Sequence, residues 1–84
     1  MIGRILIIDD DPTLGDLLVE GLTEHRFDCV FTTSSTEATQ LFSREEFDAV
    51  VTDISLPVMN GLDLCQRFAE SRPDVPVILL TAYG

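Results

Sequence analysis

Ile5-Leu6-Ile7-Ile8-Asp9-Asp10-Asp11-Pro12 is the stretch that decides how this 84-residue chain folds. Four consecutive apolar residues predict a strand buried on both faces, the pattern of a parallel sheet covered by helices on either side. Three carboxylates follow with no basic residue among them. Two carboxylates about 4 Å apart repel by roughly 4 kcal/mol at an effective dielectric of 20, so a fold that gathers them supplies a proton, a base or a cation.

Downstream of the acids, Asp11 is placed to cap a helix with Pro12 at its first position, where the missing N–H costs nothing. Leu14, Leu17, Leu18 and Leu22 recur at helical spacing and predict its buried face as far as residue 25 or 26, with Gly15 and Gly21 weakening the helix. Residues 27–32, rich in branched and aromatic side chains, predict a second strand. Ser34 followed by Glu37 is a capping-box pattern, opening a helix over 35–43 with Ala38, Leu41 and Phe42 turned inward. A third apolar strand, 47–52, runs into Asp53. Pro57 and Gly61 mark a loop and Asn60 caps a third helix, whose face is Leu64, Cys65, Phe68 and Ala69 and whose end is Arg72-Pro73. A fourth strand over 75–80 tolerates Pro76 near its start and leads into Thr81-Ala82-Tyr83-Gly84. Strands alternating with helices imply right-handed crossovers and a single α/β unit with a parallel sheet between helices.

An apolar fraction of 45% is enough for a core and argues against disorder. Fifteen acids against five bases give a net charge of −10, which excludes direct nucleic-acid contact because phosphates could not be neutralised. The same imbalance fits a cation site or a basic partner. Arg4 is followed by only four apolar residues, too few for a signal peptide or a membrane span, so the expected location is the cytoplasm with no membrane contact. Cys29 and Cys65 have no Cys-x-x-Cys spacing and are read as plain buried thiols, and His25 as a solvated residue near a helix end.

In open α/β sheets the ligand site lies beyond the carboxyl ends of the strands, where the winding reverses. Were the first strand to lie between the second and third, Asp9 and Asp10 would end one strand and Asp53 its neighbour, about 4.8 Å away, with Thr81 ending the strand beyond. Such hard oxygen donors suit Mg²⁺; the plainer reading is a solvated, metal-free acidic rim. With a cation and a hydroxyl beside it, Asp53 is the best candidate for a nucleophile toward phosphorus.

Three stretches together carry a family resemblance. Ile5 to Pro12, then Ala49-Val50-Val51-Thr52-Asp53-Ile54-Ser55-Leu56-Pro57-Val58-Met59-Asn60-Gly61, then Val77-Ile78-Leu79-Leu80-Thr81-Ala82-Tyr83-Gly84, resemble the receiver domain of two-component response regulators along the whole chain. The resemblance implies a flavodoxin-like doubly wound parallel sheet, here four strands in the order 2-1-3-4 with three helices. It implies that Asp53 accepts a phosphoryl group from a sensor histidine kinase or a phosphotransfer protein, switching an output that would be transcription regulation. Asp10 matches a direct Mg²⁺ ligand, Asp9 a mainly water-mediated one, and the Ser55 carbonyl a backbone ligand. Thr81 matches the switch hydroxyl and Ala82 the N–H that helps hold the phosphoryl oxygens. Pro57 and Gly61 match residues that shape the loop, and Ser55 and Tyr83 stand where receivers tune loss of the phosphate.

A full receiver goes on to a fourth helix, a fifth strand with a lysine, a switch aromatic and a fifth helix. The 84 residues lack these, so they are expected to be the N-terminal part of one receiver domain. The fourth strand should then present an apolar edge suited to a homodimer or a domain swap. Two other readings compete: a structural or dimerisation fragment that is never phosphorylated, and a metal-dependent phosphohydrolase. Against the second, Ser55 stands where a haloacid-dehalogenase-like enzyme would place its second acid.

Overall fold

The run of apolar residues from Ile5 to Ile8 lies within the second-from-edge strand of a four-stranded sheet, and the other elements arrange themselves on its two faces. The computed structural model of the chain describes residues 2–56 and 58–80. In chain order the elements are β1 (Gly3–Ile8), α1 (Pro12–Glu24), β2 (Phe27–Thr32), α2 (Ser35–Arg44), β3 (Ala49–Asp53), α3 (Gly61–Ser71) and β4 (Val77–Leu80). All three strand pairings are parallel and the order is β2-β1-β3-β4, the flavodoxin-like arrangement the resemblance implied. From β1 the chain steps to one side to make β2 and then to the other to make β3. The winding therefore reverses between β1 and β3, and the carboxyl ends of these two strands flank the crevice.

Strand β1 is buried on both faces, as four apolar residues in a row require. Leu6 and Ile8 join Val50, Ala38, Phe42, Phe47, Leu64 and Phe68 in the core beneath α2 and α3. The Phe42 ring stacks on Phe68, centroids 4.2 Å apart, with Phe47 beyond it at 6.5 Å. Arg4 and Arg72 close this end over the rings of Phe47 and Phe42, and Arg4 pairs with Asp28 and Glu45. These ion pairs lie at the amino end of β1, opposite the acidic turn.

The face of α1 differs from its expected phase. Leu14 is 40% exposed and Leu17 61%, whereas Gly15 is buried and Leu18, Val19 and Leu22 are half-buried. The inward stripe is thus 15, 18, 19 and 22, turned by one residue from the leucine pattern. The Phe31 ring of β2 lies over Gly15, in the space a Cβ there would need. A side chain at position 15 would need the end of the half-buried Phe31 ring to move aside. Gly21 has nothing within 4 Å of an added Cβ. Gly21→Ala is expected to stabilise the chain by about 0.5–1 kcal/mol, read as a higher urea midpoint at unchanged slope.

Other boundaries shift for local reasons. The β3 ladder starts at Ala49 because Phe47 turns its ring into the core, while Asp48 exchanges backbone and carboxylate bonds with Arg4. Strand β4 starts at Val77, since Pro76 has no N–H and contributes only its carbonyl, to Val50. On α3, Leu64 and Phe68 are buried and Cys65 half-buried, but Ala69 is exposed. The caps form as read: Asp11 accepts from Thr13 N–H, Ser34 from Glu37 N–H and Asn60 from Asp63 N–H. The capping box is half-made, because Ser34 N–H donates to the Thr32 hydroxyl instead. His25 is exposed at the end of α1, its Nδ1 2.9 Å from the Gly21 carbonyl. Both cysteines are free thiols, half-exposed and not buried; partial burial still pushes the Cys29 thiol up, against a hydrogen bond with Thr23 that lowers it.

Candidate functional site

Asp9 continues the line of β1 by one residue, its N–H donating to the Thr32 carbonyl at 3.2 Å. Its side chain is turned inward, and the residue is only 2% exposed. A carboxylate so placed needs donors. One comes from the turn itself: Asp11 N–H donates to Asp9 Oδ1 at 2.8 Å, and Asp11 then caps α1 through Thr13 N–H at 3.0 Å. Two successive side-chain-to-backbone turns thus hold the acidic segment in one conformation, with Asp10 between them and exposed to solvent.

Asp53 closes β3 opposite Leu80 of β4. Its Oδ1 accepts the Ser55 N–H at 3.1 Å. The peptide beyond it is pinned twice, Ile54 N–H donating to the Leu80 carbonyl at 3.0 Å and Gly61 N–H to the Ile54 carbonyl at 2.9 Å. The amino end of α3 is thereby drawn against the end of β3, and Gly61 is where the two backbones touch.

The sheet order brings Asp9, Asp10 and Asp53 together, each offering a carboxylate oxygen within 4.8 Å of the others. At that separation a pair repels by roughly 3 to 4 kcal/mol at an effective dielectric near 20, less for the exposed Asp10. Burial pushes the Asp9 carboxyl above its ordinary 3.8; the Asp11 N–H pulls it back, and the charges of Asp53, Asp10 and Asp11 push it up again. Among the described residues the ion pairs are those of Arg4, at the other end of the sheet, so none of them answers this charge. Three hard oxygen ligands, one buried with a strained charge balance, match the donor set of Mg²⁺.

Ser55, also singled out in the sequence, is exposed two residues beyond Asp53, and its N–H engages the Asp53 carboxylate. Thr81, Ala82, Pro57 and Tyr83 lie outside the described residues. Three contributors carried no recognisable signal: the Asp11 N–H on Asp9, the Thr32 carbonyl that receives Asp9, and the buried Thr52 whose hydroxyl meets the Asp53 carbonyl at 3.1 Å. The first two act through the backbone, where residue identity says least, and the third from a strand position that would suit valine as well.

The raised Asp9 value has a sign. A carboxyl that titrates higher when folded contributes most to stability below its ordinary value and loses that contribution as pH rises through the folded one. Ionised Asp9 therefore strains the metal-free chain at neutral pH. Asp9→Asn keeps an Oδ1 for the Asp11 N–H and removes the charge, so it is expected to raise the melting temperature at pH 7. The gain should shrink as pH falls through the raised Asp9 value toward 3.8. Thermal scans from pH 7 downward check this; a gain that is independent of pH would contradict it.

Residues 5–84 match the family model described as the response regulator receiver domain. The response regulator protein PilR of Pseudomonas aeruginosa is 40% identical over 81 residues, which are 96% of this chain and 18% of that protein. The transcriptional regulatory protein GlrR of Escherichia coli is 36% identical over the same length, again 18% of its own. The chain thus spans less than a fifth of these relatives. Among solved structures, the response regulator TrrA of Thermotoga maritima in complex with Mg²⁺-BeF superimposes with a TM-score of 0.93 at 34% identity, covering 99% of this chain and 72% of that one. TrrA in complex with the histidine kinase ThkA superimposes with a TM-score of 0.91, at the same identity and coverage.

Proposed function

We infer, for a chain that belongs to the response regulator receiver family of two-component signalling, that Asp53 is its phosphoryl acceptor and Asp9 and Asp10 its principal metal ligands. The observation that carries this reading is the convergence of the three carboxylates within 4.8 Å where the winding reverses. An Asp53 carboxylate oxygen forms the new O–P bond while the N–P bond of a phosphohistidine on a sensor histidine kinase or a phosphotransfer protein breaks. The imidazole leaves with the electron pair. Family membership makes this a signalling domain and not a conventional enzyme; that the acceptor assists its own modification is part of the proposal.

Asp9, Asp10, Asp53 and the Ser55 carbonyl would hold Mg²⁺. When bound, the ion supplies positive charge against the acids and the phosphoryl oxygens, taking three carboxylates from −3 to about −1. The chain's own part is positional. The Asp11 N–H fixes Asp9, the Ser55 N–H orients Asp53, and the pinned Ile54 peptide ties the end of β3 to β4 and to the amino end of α3. The Thr81 hydroxyl and the Ala82 N–H belong to the same proposal as partners of the phosphoryl oxygens.

The 84 residues are the N-terminal part of a single receiver domain in this reading, supported by their spanning 72% of the TrrA chain. The kinase as partner is supported by the TrrA complex with ThkA, and a transcriptional output by the likeness to GlrR; a cytoplasmic location belongs to the same proposal. No described helix is long and apolar enough to cross a membrane. Direct contact with nucleic acid is left to an output domain, given a net charge of −10. Self-association through β4, whose Ile78 is 51% exposed, is a subsidiary proposal that light scattering of the chain at several concentrations checks.

The test is to incubate the full-length protein that carries these residues with acetyl phosphate, with and without a chelator, and to map the adduct by mass spectrometry. One labile phosphoryl group per chain on Asp53, absent with chelator, is the expected result. Steady release of phosphate over many turnovers would indicate a phosphohydrolase instead, and no adduct would leave only an interaction module.

A further inference from the structure

Thr52 and Asp53 are the last two residues of β3, and their side chains leave the strand on opposite faces. Thr52 is fully buried, with Ile8 of β1 and Leu79 of β4 as its register partners. Valine has nearly the same shape as threonine, suits a strand as well and leaves no hydroxyl to desolvate. Packing alone would therefore favour valine here. What threonine adds is one hydrogen bond, from its Oγ1 to the carbonyl oxygen of Asp53 at 3.1 Å.

That oxygen is in a critical place. A Cβ on Gly61 would come within 2.3 Å of it, so the Asp53 carbonyl is directed at the amino end of α3, into the positive end of the helix dipole. The following peptide is held by Leu80 on one side and Gly61 on the other. Of these restraints on the backbone around Asp53, the Thr52 hydroxyl is the one supplied by a side chain. The Asp53 carbonyl turns about the Cα–C bond and the carboxylate about the Cα–Cβ bond of the same residue, and the rotamers open to a side chain depend on its backbone angles, so fixing the first narrows the choices of the second.

We propose that Thr52 is a positioning residue for Asp53, its hydroxyl holding the Asp53 carbonyl against α3 so that the carboxylate keeps its bearing toward Asp9 and Asp10. The proposal rests on Asp53 being the acceptor. It adds that the acceptor's aim is set from inside the sheet as well as by the turn that follows it. Displacements of the order of 1 Å at a reacting group lower rates by up to about a hundredfold, so a loss of aim is measurable.

The experiment compares Thr52→Val and Thr52→Ser with the parent, using two readouts. The distribution of the Asp53 side chain about χ1 is measured by three-bond NMR couplings in the 84-residue chain. The maximal phosphorylation rate at saturating acetyl phosphate and Mg²⁺ is measured in the full-length protein. Thr52→Val is expected to melt no lower than the parent, to spread Asp53 over more than one rotamer, and to phosphorylate about tenfold or more slowly. Thr52→Ser, which keeps the hydroxyl, should restore both properties even if it melts lower. A valine variant with the parental rotamer and rate, or a serine variant that restores neither, would overturn the proposal. Should the parent itself take no phosphoryl group, the acceptor reading fails, and the Asp53 rotamer in Thr52→Val still decides whether Thr52 positions it.

Discussion

Asp53→Asn is expected to abolish phosphoryl uptake while leaving the fold intact. The amide keeps an oxygen at the Oδ1 position, so the Ser55 N–H retains its acceptor and the turn after β3 has no reason to change. What disappears is the anionic nucleophile: an amide oxygen is too weakly basic to displace the imidazole of a phosphohistidine, and the neighbouring acids do not stand in for it. Asp9 is buried with Oδ1 bound to the Asp11 N–H, and Asp10 ends a different strand from the one α3 braces. The substitution also removes one of three mutually repelling charges, so the metal-free variant should unfold at the parental temperature or a few degrees above it. Its Mg²⁺ affinity should fall, because one of the three close carboxylates is gone. Phosphorylation assays, calorimetry and a Mg²⁺ titration on the same variant separate these effects. Substantial labelling of Asp53→Asn would show that the acceptor is another residue.

How far the sequence was legible follows from the kind of signal each feature leaves. A strand buried on both faces needs apolar residues at every position, so β1 and its acidic end could be read directly from Ile5 to Asp11. Helix caps were legible for a similar reason, since Asp11, Ser34 and Asn60 act through short side chains on N–H groups two or three residues ahead. The face of α1 was misread by one residue because its innermost position is Gly15, which adds nothing to an apolar pattern although the Phe31 ring packs over it. Asp9 and Asp53 meet only through the strand order, and that order came from the family resemblance; spacing alone left a metal-free rim as an open alternative. The restraints around Asp53 were invisible because they run between backbone atoms, or, for Thr52, from a side chain whose strand position would suit valine equally well.

Gly61→Ala should be among the most destabilising single changes in the chain, and it sets a limit on how Asp53 can be disturbed. The glycine is not needed for an unusual backbone angle; it is needed for closeness. An added Cβ would lie 2.3 Å from the Asp53 carbonyl oxygen, 2.9 Å from Ile54 Cα and 3.0 Å from the Asp53 carbonyl carbon, all backbone atoms that no rotamer change can move aside. Relief requires α3 to withdraw from β3. Withdrawal breaks the Gly61 N–H bond to Ile54 and loosens Leu64 and Phe68 from the core. Overpacking of this kind costs about 2–4 kcal/mol, a large share of the roughly 4–12 kcal/mol expected for a domain of this size. The melting temperature should fall by about 10–20 °C. The same substitution at Gly21, on the open side of the last turn of α1, is expected to act in the opposite direction, so the pair distinguishes contact from helix propensity. Because the loss at Gly61 is transmitted through Asp53's own peptide, Mg²⁺ affinity should drop even well below the melting temperature. A Gly61→Ala protein that binds Mg²⁺ like its parent and melts within a few degrees of it would mean that α3 does not brace the acceptor.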